Sequence, residues 1–133
     1  KFRAMYHLFG SIIFVSLLQV IGASDECFTF TGNVKCKFVS ESDSHRIFYV
    51  ELWDKDVIYD DLMGRSTVDE NGHFSLSGCG SDILTYNRPD PFLRIHHSCP
   101  SNKDDIKPKS RLYEFNLDLY RDSGEALPDL LLY

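Results

Sequence analysis

GRSTVDENGHFSLSG, residues 64–78, is the stretch whose reading decides the fold. Asn71-Gly72 is a two-residue turn signal, because a type I′ turn needs positive φ at both central positions and Asn and Gly tolerate that best. Before it, Arg65-Ser66-Thr67-Val68 is short and β-branched. After it, His73-Phe74-Ser75-Leu76-Ser77 alternates, with Phe74 and Leu76 on one face, and Gly78 closes the run. The pattern predicts a β-hairpin, and a hairpin must lay its apolar face on something. That sets an all-β class and leaves function open.

Upstream, residues 27–38 alternate: Phe28, Phe30, Val34, Cys36 and Phe38 share one parity, and Thr29, Thr31, Asn33, Lys35 and Lys37 share the other. This reads as a half-buried first strand, with Gly32 a bulge or a close approach. After the polar loop Ser40-Glu41-Ser42-Asp43-Ser44, residues 45–53 form a second strand, with Phe48, Val50 and Leu52 inward and Tyr49, Glu51 and Trp53 outward. An acidic loop then runs to Gly64.

Downstream, residues 81–88 read as irregular or one helical turn, and Pro89-Asp90-Pro91 forces an extended conformation. Residues 92–99 follow as a strand with Leu93, Ile95, His97 and Cys99 on one face, opposite Phe92, Arg94, His96 and Ser98. Past a charged loop, residues 111–119 alternate again, with Tyr113, Phe115, Leu117 and Leu119 together. The tail ends in Leu130-Leu131-Leu132-Tyr133, which would add a short strand or fray. Short strands at this spacing, with turn signals between them, indicate an all-β sandwich.

Residues 1–24 carry Lys1 and Arg3, an apolar core over 8–21, and the small residues Gly22-Ala23-Ser24. That order is a secretory signal peptide cleaved after Ser24, with Ala23 as the rival site. A transmembrane anchor would need about 20 apolar residues, and this run is shorter and broken by Ser11, Ser16 and Gln19. The expected organisation is a leader over 1–24, one domain over 25–120, and a tail or short edge strand over 121–133. Loss of the two cations carries the formal charge from −6 to −8. An acidic domain of this kind is repelled by phosphate backbones, which argues against nucleic acid as a partner.

The four cysteines, Cys27, Cys36, Cys79 and Cys99, all follow the leader. An even number in an exported domain reads as two disulfides with three possible connectivities. Zinc would want close pairs such as C-x2-C, and none occurs. Cys36 and Cys99 each sit on the inward parity of their strand, which favours pairing them, and leaves Cys27 with Cys79. The other two connectivities remain open from these residues alone.

The blocks "FTGNVKC", "FYVELWDKD", "DDLMGRSTVDENGHFSLSG", "DPFLRIHHSC" and "IKP", in this order, resemble the transthyretin-like family of secreted nematode proteins, over roughly residues 28–120. The resemblance implies a prealbumin-like β-sandwich of two antiparallel sheets with about seven strands, and an extracellular or cell-surface location. It also implies a Cys36–Cys99 bridge, since those positions match the family's first-strand Cys and its "H-x-C" Cys. Cys27 and Cys79 fall where the family has no expected cysteine, a further reason to pair them. The family's "K-P-C" or "K-P-G" is here Lys107-Pro108-Lys109, and its "I-P-D-x-Y" is reduced to Asn116-Leu117-Asp118-Leu119-Tyr120, so the final edge strand is expected short or missing.

Candidate site residues gather after the second strand. Asp54, Asp56, Asp60 and Asp61 would suit Ca²⁺, which wants six to eight oxygens, but no EF-hand spacing is present and acids at strand ends are ordinarily solvated. Tyr49 and Trp53, outward on the strand, with Tyr59 in the loop, would make a recognition patch of the aromatic kind that interfaces favour, unless the tail or a loop covers them. His96 and His97 are adjacent in a strand and point to opposite faces, so they cannot chelate together. His97 reads as a satisfied core histidine. No metal or cofactor is expected.

The fold's enzymatic relatives, the hydroxyisourate hydrolases, end in Tyr-Arg-Gly-Ser. Tyr120-Arg121-Asp122-Ser123 departs at its third position, more chain follows, and the first strand lacks the matching His. The cysteines, once oxidised, offer no nucleophile. The expectation is therefore a secreted, non-catalytic binding module recognising a protein or a lipid headgroup at a cell surface. The alternative is a carrier of a small lipophilic ligand, and a hydrolase stands behind both.

Overall fold

The computed structural model describes residues 24–39, 46–82, 88–105, 107, 109–123 and 126–133. The expected leader, apart from Ser24, lies outside the described residues, as do positions 83–87 of the expected irregular stretch. Seven strands form: β1 (Ser24–Cys36), β2 (Ile47–Asp54), β3 (Asp61–Ser66), β4 (His73–Asp82), β5 (Pro91–His97), β6 (Arg111–Asn116) and β7 (Leu130–Leu132). They make a three-stranded sheet in the order β4-β1-β7 and a four-stranded sheet in the order β3-β2-β5-β6. The all-β sandwich expected from the alternating runs is the one observed.

The core lies between the sheets. Phe28, Phe30 and Val34 of β1, Phe74 and Leu76 of β4, and Leu130 and Leu132 of β7 face Val50 and Leu52 of β2 and Leu93 and Ile95 of β5. Each buried side chain of this size contributes about 1.5–3 kcal/mol relative to exposure. Gly32 is a close approach and not a bulge: β1 keeps unbroken register with β4 through Gly32↔Phe74, and the Phe74 ring fills the space where a Cβ would sit.

The stretch 64–78 does not form a hairpin. β3 pairs with β2, and β4 pairs with β1, so the two strands flanking Asn71-Gly72 belong to different sheets. Nor is the turn of type I′, since Gly72 alone has positive φ, at 84°. Asp69 builds the turn instead. Its Oδ1 accepts from the Asn71 and His73 amides at 2.9 and 2.8 Å, and its carbonyl accepts from Gly72 at 3.0 Å. The Gly72 carbonyl then accepts from Val34 N–H at 2.8 Å, which stitches this arch to β1. Period-2 alternation says which face a strand buries but not which neighbour it pairs with, so hairpin and arch look alike in sequence.

Other expectations change in detail. Asp61–Gly64, expected as loop, belongs to β3. Phe48, expected inward, is 46% exposed, because the β2–β5 register shifts between Ile47 and Tyr49 and Ile47 takes the buried place. Leu119 is 85% exposed, because β6 stops at Asn116 and Leu117 supplies the buried side chain. The sheets are not purely antiparallel: β7 is short, as expected, but runs parallel to β1 from Val34↔Leu130 to Cys36↔Leu132.

Two disulfides are present, Cys36–Cys99 and Cys27–Cys79. The first joins β1 to the segment just after β5 and so ties one sheet to the other, with Cys99 fully buried. The second links directly opposed residues of β1 and β4 on the outer face, where both cysteines are exposed.

Candidate functional site

Strand alternation puts Tyr49, Glu51 and Trp53 of β2 on the outer face of the four-stranded sheet, beside Arg65 of β3 and Phe92, Arg94 and His96 of β5. Register sets Glu51 opposite Arg65 on one side and Arg94 on the other, and Tyr49 opposite His96. Glu51 is only 3% exposed although it points away from the core. Its carboxylate accepts from Arg65 Nε at 2.9 Å and Trp53 Nε1 at 3.0 Å, and lies 3.0 Å from His96 Nε2. Burial pushes this carboxyl up, but the hydrogen bonds from Arg65, Trp53 and His96, together with the Arg65 charge, hold it below its ordinary value.

The aromatic rings of this face are covered. The Tyr49 and His96 rings lie 4.3 Å apart, and the Arg65 guanidinium sits 4.6 Å over Tyr49. Arg94 sits 4.6 Å over Trp53 and 5.0 Å over Phe92, an arrangement in which cation and ring quadrupole attract. Arg94 also donates to Glu114 of β6 at 2.7 Å and to Asp60 at 3.0 Å, so it ties the β2–β3 loop to the far strand. Tyr49 and Trp53 are therefore parts of a closed Arg–aromatic–carboxylate lattice rather than a bare patch. The aromatic parity was readable in sequence; the arginines that cap the rings come from other strands, and only register reveals them.

The remaining candidates separate by task. Asp54 is buried and accepts from the Asp90 amide at 2.7 Å, clasping the end of β2 to the chain before β5. Asp56 is half-buried, Asp60 is engaged by Arg94, and Asp61 is exposed at the start of β3. Tyr59 stands free of the lattice. With Val57 and Ile58 it makes a run that is 102%, 80% and 81% exposed in chain order, at the tip of the β2–β3 loop. Val57 and Ile58 were not singled out in the sequence reading, which counted only aromatics and acids there. Beside the tip lies an open cleft of about 570 Å³ whose walls include Lys55, Asp60, Asp90, Glu114, Asp118 and Arg121.

Other chemistry-bearing residues hold structural partners. His97 is buried and its Nδ1 accepts from the Cys99 amide at 3.2 Å; burial, then the Arg111 and His96 charges, push its imidazole below the usual value. Arg121 donates to the Pro89 carbonyl at 2.8 Å, and the Tyr120 ring packs 5.9 Å from Phe115. Among the described residues no three His, Cys, Asp or Glu side chains converge in a way that would hold a metal ion.

The profile of the Transthyretin-like family matches residues 31–118, which contain the C-terminal part of β1 and all of β2 to β6. The chain belongs to the transthyretin-like family. Among curated relatives, Transthyretin-like protein 33 of Caenorhabditis elegans is 34% identical over 112 residues, covering 82% of this chain and 73% of its own. Transthyretin-like protein 46 of the same organism is 28% identical over 117 residues, covering 86% of this chain and 63% of its own. This transthyretin-like chain thus spans less than two thirds of the second relative. A 9R-lipoxygenase from Cyanothece matches at 20% identity and a TM-score of 0.43, over 80% of this chain and 17% of that one, too low to bear on the transthyretin-like site.

Proposed function

We propose that this transthyretin-like chain is a secreted, non-catalytic binding module that recognises a protein or a lipid headgroup at a cell surface. The observation that carries the reading is the tip Val57-Ile58-Tyr59, three consecutive apolar side chains held in solvent beside a face whose own side chains are mutually engaged. Exposed apolar groups in contiguous array are a liability to a free monomer and mark interaction sites. Two disulfides suit an oxidising, extracellular compartment. Support for a non-catalytic role comes from His97 and Arg121, which are committed to backbone partners, and from the absence of a free cysteine.

Tyr49, Trp53, Asp56, Tyr59, Asp60 and Asp61 belong to this surface, the first two as its rigid floor and the others as its loop. The test is flow cytometry of the fluorescently labelled protein on cells, alongside the V57S/I58S/Y59S variant. Removing three apolar contacts is expected to weaken cell binding by about tenfold or more. No binding by the parent protein, or equal binding by the variant, would overturn the reading.

A further inference from the structure

The two sulfur bridges stand in unlike places. Cys36–Cys99 joins one sheet to the other, with Cys99 fully buried. Cys27–Cys79 joins β1 to β4, which ten register pairs, from Ser24↔Asp82 to Asn33↔His73, already hold together. Buried Phe28, Phe30, Phe74 and Leu76 clamp the same two strands on the inner face, and the Thr29 and Ser77 hydroxyls meet at 2.9 Å on the outer one. A crosslink between residues that the ladder already opposes adds no restraint to the folded state. Opening it returns freedom to the unfolded chain, which lowers stability, but it removes none of these folded-state contacts.

The bridge is also open to attack. Around it the outer face consists of three successive rungs, Asp25↔Ser81, Cys27↔Cys79 and Thr29↔Ser77, and all six residues are exposed. The flanking side chains are short, so a bulky molecule can reach the sulfurs. β4 is the outermost strand of its sheet, which leaves the far side of Cys79 without a neighbouring strand of that sheet. Exposed disulfides are the ones that exchange with thiols, because the reaction requires a thiolate to reach a sulfur atom.

We infer that Cys27–Cys79 is a thiol–disulfide exchange site on a scaffold that stays folded. The incoming group is the thiolate of a partner molecule. It attacks the Cys79 sulfur and forms a mixed disulfide, while the Cys27–Cys79 bond breaks and its electron pair leaves on Cys27 as a thiolate. The ladder keeps Cys27 opposite Cys79, so this thiolate can attack Cys79 in turn, re-form the bridge and expel the partner. If a second partner thiolate attacks the partner sulfur first, Cys79 leaves instead. Two partner thiols then end as one disulfide, and their protons end on Cys27 and Cys79. The resting protein needs no free cysteine for this, since the disulfide is the electrophile.

The test treats the full chain with reduced glutathione, quenches with acid, alkylates, and maps each cysteine by mass spectrometry while Trp53 emission is followed. Cys27 and Cys79 are expected to open about tenfold or more faster than Cys36 and Cys99. Trp53 emission should hold steady, and oxidised glutathione should restore the bridge. A second arm uses a protein thiol, a thioredoxin-type protein whose resolving cysteine is replaced by serine. Adducts with glutathione alone would assign a small-molecule thiol as the source, and adducts with the protein alone a protein thiol. The Cys27→Ser variant cannot re-close, so with oxidised glutathione it should hold at Cys79 a stable adduct of the kind the native chain sheds. Adducts in neither arm, opening no faster than Cys36–Cys99, a shift of Trp53 emission as the bridge opens, or failure to re-close would each overturn the inference.

Discussion

Gly64 and Gly78 lie against each other's flanking backbone across the boundary between the sheets: a Cβ at Gly64 would stand 2.3 Å from the Ser77 carbonyl, and one at Gly78 would stand 2.6 Å from the Met63 carbonyl. Stacked sheets ordinarily sit about 10 Å apart, so this edge is where β3 and β4 close the sandwich by near contact. Backbone cannot swing aside as a side-chain end can. Gly64→Ala and Gly78→Ala are each expected to destabilise by about 1–3 kcal/mol, against about 0.5 kcal/mol or less for exposed Thr67→Ala. Urea denaturation of the three variants checks this.

Glu51 is the hub of the outer face. Glu51→Ala strands the Trp53 indole N–H and one side of Arg65, groups that Glu51 now satisfies. A lost partner of this kind costs about 1–3 kcal/mol. Arg65 is half-exposed and can turn to water, so the lower part of that range is expected. The variant should also shift the emission of Trp53, the single tryptophan, as its polar neighbour is removed. Thermal unfolding followed by tryptophan fluorescence reads both effects.

Acid should weaken the fold in two stages. His97 is held below its ordinary 6.5 by burial, so the unfolded chain takes up the proton first and stability falls as pH drops below that value. Glu51 and Asp105 are carboxyls held below their ordinary values, the latter at about 2 by its Arg111 partner. Each stabilises the fold above its unfolded value, and that contribution goes as pH falls through the folded one. The lower stage therefore opens beneath 4.5 and runs on towards 2. Urea midpoints across the pH range should show both slopes. His97→Gln should flatten the upper slope, and Asp105→Asn the lower.

The two disulfides should respond differently to reductant. They span similar lengths of chain, 52 and 63 residues, so loop closure in the unfolded state makes each worth about 4 kcal/mol. Access separates them: Cys27 and Cys79 are exposed, whereas Cys99 is buried. Mild thiol treatment followed by alkylation and mass spectrometry should label Cys27 and Cys79 well before Cys36 and Cys99. Early labelling of Cys99 would contradict the layer arrangement.

Much of this architecture was legible in the residues, because parity is a local property. Phe28, Phe30 and Val34, and Leu93, Ile95, His97 and Cys99, alternate over long enough runs that the pleat leaves one assignment. Phe48 escaped because a bulge resets parity, and nothing in Ile47-Phe48-Tyr49 marks it. The arch at 69–73 escaped because partner choice is non-local. The outer-face lattice escaped for the same reason: Glu51, Arg65, Arg94 and Glu114 sit on four different strands, and their meeting depends on register. The family resemblance supplied the sandwich and the Cys36–Cys99 bridge but said nothing of Val57 and Ile58, whose signal was plain apolarity in an acidic loop.

Both sulfur bridges reach across the β2–β3 loop, with Cys27 and Cys36 before it and Cys79 and Cys99 after it. An extracellular protease that cut the chain at Tyr59 would thus release neither piece: the severed halves would stay covalently joined, and the clipped molecule would migrate as one species until a reducing agent parted it. The loop that holds Val57, Ile58 and Tyr59 in solvent thus lies in a stretch whose scission leaves the scaffold covalently whole.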